Sequence, residues 1–306
     1  GLFADPVLFG ERYRRPIANG SDHDALARLH RRVRPLMLRR TKETVAAELP
    51  PKQEQVLSIE LSPAHRRLYD RQLAAERKKV LGLVGDVNRN RIAILRSLTL
   101  LRQLSLSPVL ADASHPAQSA KIDTLVEMLT EVASEGHRAL VFSQFTSFLA
   151  LVQARLRAEG IGFQYLDGRT RDRAARVAAF REGDDPAFLI SLKAGGVGLN
   201  LTAADTVIHF DPWWNPAAEN QATDRAHRLG QTKAVFVYKL VVAGSIEEKI
   251  LALQDKKATL AAGILAEDHE GSVKFGEDDI QALFAPLPEI KGDDDAPKKR
   301  GRPKKA

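Results

Sequence analysis

Between Lys121 and Gly263, short apolar runs alternate with segments whose apolar residues recur every three or four positions. The runs RALVFSQ, FQYLD, AFLISL, TVIHFD and VFVYKLV predict five strands. The segments KIDTLVEMLTEVASEG, FLALVQARLRAEG, RDRAARVAAFREG, AAENQATDRAHRLG and SIEEKILALQDKKATLAAG predict helices around them. Strands separated mostly by helices imply a parallel sheet covered on both faces, an α/β fold. Ser245 and Glu248 open the last helix as a capping box. The chain before Lys121 has a different texture. ALARLHRRVRPLMLRRTKETVAAEL spaces apolar residues helically among arginines and breaks at Pro35, with a second break at Pro50–Pro51. Gln55–Leu61 alternates like a strand, and Ser62 with Pro63 then marks a helix start. The α/β array is therefore preceded by a mainly helical segment. After Ala266 the chain turns acidic and loop-like, and it ends in a stretch expected to be unfolded alone.

In parallel sheets, ligands bind beyond the carboxyl ends of the strands. The residues there are chemically unusual. KAGGVGLNLT follows AFLISL, and its Gly195, Gly196 and Gly198 let backbone N–H groups approach phosphate oxygens, with Lys193 adding charge. A tight turn also uses glycine, so the loop alone does not decide. No G-K-[ST] follows it, and none occurs elsewhere in the chain, so it is not a Walker A loop. PWWNPA places Trp213 and Trp214 between two prolines after TVIHFD, suited to stacking on a base or packing a neighbouring lobe. Ser143, Gln144, Arg169 and Thr170 close two further strands with groups that suit a sugar-phosphate backbone. In NQATDRAHRLGQ, Arg225 and Arg228 stand three apart on the predicted helix, on one face, near the Gly230 that closes it. Two charged forks on one face suit a polyphosphate, although R-x-x-R also describes a solvated surface.

Composition narrows the classes. The 306 residues suit one large domain or two modest ones. Cysteine is absent, which excludes disulfides, thiolate catalysis and zinc-cysteine sites. No apolar run approaches the about 18–20 residues that span a bilayer, so no membrane partner is expected. The net charge is +7, of which +4 falls in Lys291–Ala306, where seven basic residues face three Asp. A nucleic-acid surface on the body must therefore be local. The start lacks an initiator Met, and a longer parent protein is expected. The Arg, Ala and Leu richness suggests a bacterial, nucleoid-associated cytoplasmic protein, or a nuclear one if eukaryotic.

The motifs ALVFSQF, YLDGRT, LISLKAGGVGLNLTAADTVIHFDPWWNPA and QATDRAHRLGQ resemble the second RecA-like lobe of SWI/SNF-type ATPases, DNA translocases of helicase superfamily two. Upstream, PLMLRRTKETVAAELPPKQE and LSPAHRRLYD resemble the exit from the family's first lobe into helical protrusions. The similarity runs from about Leu36 to Leu260. Leu104–Pro108 stands where many relatives have Cys-x-His-Pro, and Gly244–Glu248 replaces a Thr-containing version. The resemblance implies a RecA-like lobe over 119–265, a first-lobe remainder over 1–61, a helical insertion over 62–118, a brace or linker over 266–290 and a tail over 291–306. It also makes Arg225 and Arg228 arginine fingers on ATP, assisted by Gln221, with Gly196 and Gly198 in the nucleotide-coupling loop. Ser143, Gln144, Arg169, Thr170, Lys193 and Asn200 match positions facing the DNA backbone or close behind it, and Trp214 with Asn215 match the segment that transmits closure. ATP with Mg2+ would be held mainly by a first lobe, and this segment alone is expected to be inactive. Double-stranded DNA and nucleoprotein complexes are the implied partners. A non-catalytic DNA-binding module and a strand-separating helicase are the alternatives.

The tail resembles an AT-hook, with Arg300, Gly301, Arg302 and Pro303 as a core slim enough for a narrow minor groove. A basic solubilising or nuclear-import tail is the alternative. Flanking lysines would contact phosphates without reading sequence. Binding of the chain to AT-rich duplex should exceed binding to GC-rich duplex, and Arg302→Ala should erase the difference. Competition titrations read this directly, and equal affinities in the wild type refute the hook.

Overall fold

The structure is a computed structural model that describes residues 6–14, 24, 28, 29, 32, 49–83, 87–194, 199–213, 216–265 and 277–284. Two compact units divide the chain, Gly1–Leu49 and Pro50–Ala306. In the first, a helical turn at Pro6–Phe9 passes into a wider turn at Gly10–Arg14, where the Phe9 and Tyr13 rings lie 5.6 Å apart. Arg32 donates to the Tyr13 hydroxyl at 3.3 Å.

The second unit is an α/β lobe with six parallel strands. They are β1 Lys52–Ile59, β2 Ala139–Ser143, β3 Phe163–Leu166, β4 Ala187–Ser191, β5 Thr206–His209 and β6 Val235–Val242. Their order is β1-β6-β5-β2-β4-β3. This is the RecA-like sheet expected from the alternating pattern, with one correction: there are six strands, not five. The alternating segment before the first prolonged helix is β1, which pairs in parallel with β6 from Lys52↔Val235 to Ile59↔Val242. The sheet thus takes a strand from the segment that precedes residue 61. Seven of the eight β1 residues are exposed or half-buried, as an edge strand allows.

The central strands read as unbroken apolar runs because both faces are covered. Among the described residues eight α-helices accompany them: α1 Pro63–Leu81, α2 Val87–Leu106, α3 Ala120–Ser134, α4 Thr146–Ala158, α5 Arg173–Glu182, α6 Pro216–Thr223, α7 Ile246–Leu265 and α8 Glu277–Phe284. The period of two along β2 sends Ala139 and Val141 to one face and Leu140 and Phe142 to the other. On the first face lie Ile122, Leu125 and Leu129 of α3 with Phe148, Leu149, Val152 and Leu156 of α4. The second face receives Phe180 of α5, Ala222 of α6 and Ala226 beyond it. A separate cluster joins α1, α2, α7 and α8 through Val80, Leu98, Ile250 and Phe284.

The helix starts follow the capping chemistry of the sequence. Ser62 accepts from the His65 N–H at 3.4 Å, and Ser119 accepts from the Ile122 N–H at 3.3 Å. At α7, Ser245 takes the Glu247 N–H at 3.1 Å while Glu248 takes the Gly244 N–H at 3.0 Å. The capping box is therefore shifted by one residue at each contact.

Glu247 and Lys121 are both fully buried and pair at 2.7 Å. The Lys121 ammonium also donates to the Phe210 and Leu240 carbonyls, and Glu247 accepts from the Val242 N–H at 2.9 Å. One pair thus ties the start of α3, the ends of β5 and β6, and the first turn of α7. Burial pulls the Lys121 ammonium below its usual range, and Glu247 opposes that pull. Among the described residues no helix is long and apolar enough to cross a membrane.

Lys121→Met leaves a buried carboxylate without its cation and should cost about 3–5 kcal/mol of unfolding free energy. Lys121→Met combined with Glu247→Leu should recover most of it. Denaturant titration of both variants measures the difference, and equal losses would show that packing, not charge, dominates.

Candidate functional site

Parallel strands bring four motif-bearing turns to one edge. Asp211, just past β5, is the hub of the central part. Its carboxylate accepts from Ser143 Oγ at 2.6 Å and from Gln144 Nε2 at 2.6 Å. Arg102 of α2 reaches in, donating to Asp211 Oδ2 at 3.3 Å and to the Pro212 carbonyl at 2.9 Å. The Arg102 guanidinium is sandwiched over the rings of Phe145 and Trp213, at 5.3 and 5.2 Å from their centroids. Burial pushes the Asp211 carboxyl up to about 6, although Arg102 and the Ser143 hydroxyl favour its charged form. Ser143 is 2% exposed, with its hydroxyl spent on Asp211. It orders the strand end from behind and does not face solvent. Gln144 is half-buried and held by the same carboxylate.

At the end of β3, Asp167 organises a tight turn. Its Oδ1 accepts from the N–H groups of Arg169 and Thr170 at 2.9 and 3.0 Å and from Thr170 Oγ1 at 3.0 Å. Burial would raise this carboxyl, but those hydrogen bonds hold it below its usual range. The turn leaves the Arg169 side chain exposed. Lys193 and Asn200, either side of the glycine loop, are also exposed. Gly196 and Gly198 of that loop, Trp214, Asn215 and the tail residues Arg300, Gly301, Arg302 and Pro303 lie outside the described residues.

The arginine pair is placed differently from the expectation. α6 ends at Thr223, and residues 224–230 form successive turns that finish at Gly230 with φ +100°. Arg225 and Arg228 therefore do not share a helix face. They lie on the return path towards β6, against the segment that leaves the glycine loop. Leu201 N–H donates to the Arg225 carbonyl at 3.1 Å, and Arg228 Nη1 donates to the Leu199 carbonyl at 3.3 Å. Arg225 is 7% exposed, and its Nε has no hydrogen-bond partner among the described residues. Burial first, and the neighbouring Arg228 charge second, pull the Arg225 guanidinium below its usual range. Gln221 is exposed one turn earlier. Such a pair is costly unless an anion answers it.

Gln231 fixes this arrangement, and the sequence reasoning did not assign it a role. Its Nε2 donates to the carbonyls of Ala204 and Ala226 at 2.8 and 3.2 Å, and its Oε1 accepts from the Thr232 and Lys233 N–H groups at 2.9 and 3.0 Å. Asp211 and Arg102 were also missed, and Asp167, within the YLDGRT motif, was given no organising role of its own. The signal for Asp211 was an acid ending an apolar strand. Nothing linear pointed to Arg102, which is 109 residues away. His209 lies beneath, stacked on Phe142 at 5.4 Å and hydrogen-bonded through Nε2 to Thr223 at 3.0 Å. Among the described residues no group of three or more His, Cys, Asp or Glu gathers to hold a metal.

A helicase conserved C-terminal domain matches residues 120–230, and an SNF2-related domain matches residues 1–110. The chain belongs to the SNF2-related family. It is 36% identical over 294 residues to the putative ATP-dependent helicase/translocase YwqA of Bacillus subtilis, covering 93% of this chain and 32% of the relative. It is 32% identical to the CHD3-type chromatin-remodeling factor PICKLE of Arabidopsis thaliana, across 84% of this chain and 20% of that protein. The SNF2-related chain thus spans about a third or less of these relatives. Among solved structures, the Sulfolobus solfataricus SWI2/SNF2 ATPase core in complex with dsDNA aligns with TM-score 0.62 and 28% identity, over 94% of this chain and 62% of that one. The C-terminal part of the Fun30 ATPase domain aligns with TM-score 0.60 and 27% identity, over 78% and 98%.

Burial depresses the His209 imidazole to about 3, so it folds neutral. The unfolded chain takes up this proton below about pH 6.5, so the stability from this group is full above that pH and is lost as pH falls towards 3. The slope is about 1.4 kcal/mol per pH unit for one proton. His209→Phe keeps the stacking volume and should flatten the stability profile between pH 6 and 4 by about that slope. Urea titrations across the window measure it, and parallel profiles for both proteins contradict it.

Proposed function

We propose that this chain is the second motor lobe of an ATP-dependent translocase on double-stranded DNA, one that remodels protein–DNA complexes without separating strands. The observation that carries the proposal is the buried, incompletely bonded Arg225 beside Arg228, seated against the segment that leaves the glycine loop. Two guanidiniums held close with unused donors are a receptor for an anion. ATP with Mg2+, held mainly on a separate first lobe, would supply that anion. Arg225 and Arg228 act as arginine fingers that offset the charge developing on the γ-phosphoryl group, and Gln221 orients them or the attacking water. The unpaired Arg225 Nε fits that group.

The DNA contacts of the proposal are Arg169, Thr170, Lys193 and Asn200, with Gln144 behind them. Arg169 and Lys193 are exposed cations that meet phosphates and carry no sequence preference, as a translocase needs. Gly196, Gly198, Trp214 and Asn215 couple nucleotide to DNA on this view. The lobe comprises 119–265 together with β1. Residues 62–118 are its helical insertion, 266–290 its brace, 291–306 a DNA-binding tail, and the stretch before β1 the remainder of the first lobe. The protein works on DNA in the bacterial nucleoid, or in the nucleus if it is eukaryotic.

In the full-length protein, Arg228→Ala should lower kcat for DNA-stimulated ATP hydrolysis by about 10³-fold and change ATP affinity far less. Arg169→Ala with Lys193→Ala should instead weaken DNA binding and flatten its salt dependence. Steady-state kinetics with filter binding separates the two effects. An Arg228→Ala enzyme within about threefold of wild type would remove the finger from the mechanism.

A further inference from the structure

A cavity of about 390 Å³ lies between the start of α1 and the loop that follows α2. Arg67 and Arg71 line it from α1, and His115 and Gln118 line it from the loop. Leu68 and Pro116 supply part of its apolar wall, and no acidic residue is among the lining groups. Arg67 and Arg71 stand one helical turn apart, where like charges repel. Both are exposed, and neither guanidinium has a hydrogen bond or ion pair among the described residues. Their neighbour Arg66 behaves differently. It donates to the Ala243 and Gly244 carbonyls and faces Asp70 at 3.7 Å. Acceptors are thus within reach of this helix, yet the cavity-facing pair uses none.

The opposite wall is built, not slack. Ser107 Oγ donates to the Gln118 carbonyl at 2.7 Å. Asp112 turns its carboxylate into its own loop, accepting from the Ser114 N–H at 2.9 Å, while its carbonyl accepts from the His115 N–H at 3.1 Å. The Asp112 carboxylate is therefore spent within the loop, and His115 lines the arginines' cavity. Beneath, the buried His65 donates through Nε2 to the Leu104 carbonyl at 2.6 Å, which pins the ring.

We propose that this cavity binds a phosphate group carried on an organic body. Two planar forks from one helix and an imidazole from the facing loop match the several oxygens of a phosphate. A phosphate alone occupies a small part of the volume, and the apolar wall of Leu68 and Pro116 takes the carbon skeleton. A second cavity of about 590 Å³ shares His65 and Gln118 with it. The site is independent of the arginine pair after α6 and of the motor proposal.

The test titrates the full chain with deoxythymidine monophosphate and, separately, with a short blunt duplex, for wild type, the double variant Arg67→Ala/Arg71→Ala, and Lys78→Ala. Lys78 is an exposed cation farther along the same helix and controls for bulk charge. The monophosphate should bind saturably to wild type, the double variant should weaken it at least about tenfold, and Lys78→Ala should leave it unchanged. An unaltered unfolding transition confirms that the double variant is folded. If the duplex displaces the monophosphate, the source of the phosphate is the DNA backbone. If it does not, the source is a free phosphate ester. Absence of saturable monophosphate binding to wild type, or an equal loss in Lys78→Ala, overturns the proposal.

Discussion

The buried pair between Lys121 and Glu247 is the constraint on which the rest of the lobe depends. Two opposite charges in a water-free interior are costly, and their attraction repays that cost only in one geometry. Here the geometry is specified five ways, by two bonds within the pair and by the Phe210 and Leu240 carbonyls and the Val242 N–H. The α3 start, the carboxyl ends of β5 and β6, and the α7 start can come together in one register only. Such a pair adds little net stability over an apolar alternative and instead selects one arrangement. That arrangement sets the edge of the sheet from which the chemistry emerges.

A second buried pair, Arg102 with Asp211, extends the same logic outwards. It fastens the helical segment, through α2, to the end of β5. Asp211 in turn holds Ser143 and Gln144, so the first and the fourth motif-bearing turns move as one body. Arg169, Lys193 and Asn200 are left exposed on short turns. On the proposed function, exposed cations over a firmly bonded support suit repeated engagement of a phosphate backbone. The arginine pair stands apart, on turns stapled by Gln231 to the segment after the glycine loop. The 199–204 segment and the turns that carry the arginines are therefore held together.

The sheet was legible in the sequence because parallel strands covered on both faces must be continuously apolar, as ALVFS and AFLIS are. β1 was legible as a strand but not as a member of this sheet, since pairing between residues about 180 apart leaves no linear trace. The end of α6 was overrun for a physical reason. Ala222, Ala226 and Leu229 keep helical spacing, but Arg225 and Gln231 bind the 199–204 segment and turn the chain out of the helix. Solvent-facing site residues such as Arg169 could be picked out by type and place. Asp211, Arg102 and Gln231 could not, because their role lies in partners distant along the chain, whereas Asp167 acts within its own turn.

The central claim is that this lobe completes an ATP site whose nucleotide is bound by another lobe. The most direct test is ATP turnover by the isolated 306-residue chain, with and without duplex DNA. No DNA-stimulated hydrolysis is expected, because on the proposed reading the chain supplies only arginine fingers, and its sequence holds no G-K-[ST] element. Measurable, DNA-dependent turnover by the pure chain, lost on Arg228→Ala, would contradict the claim, since the nucleotide would then have to be bound and hydrolysed by this lobe alone.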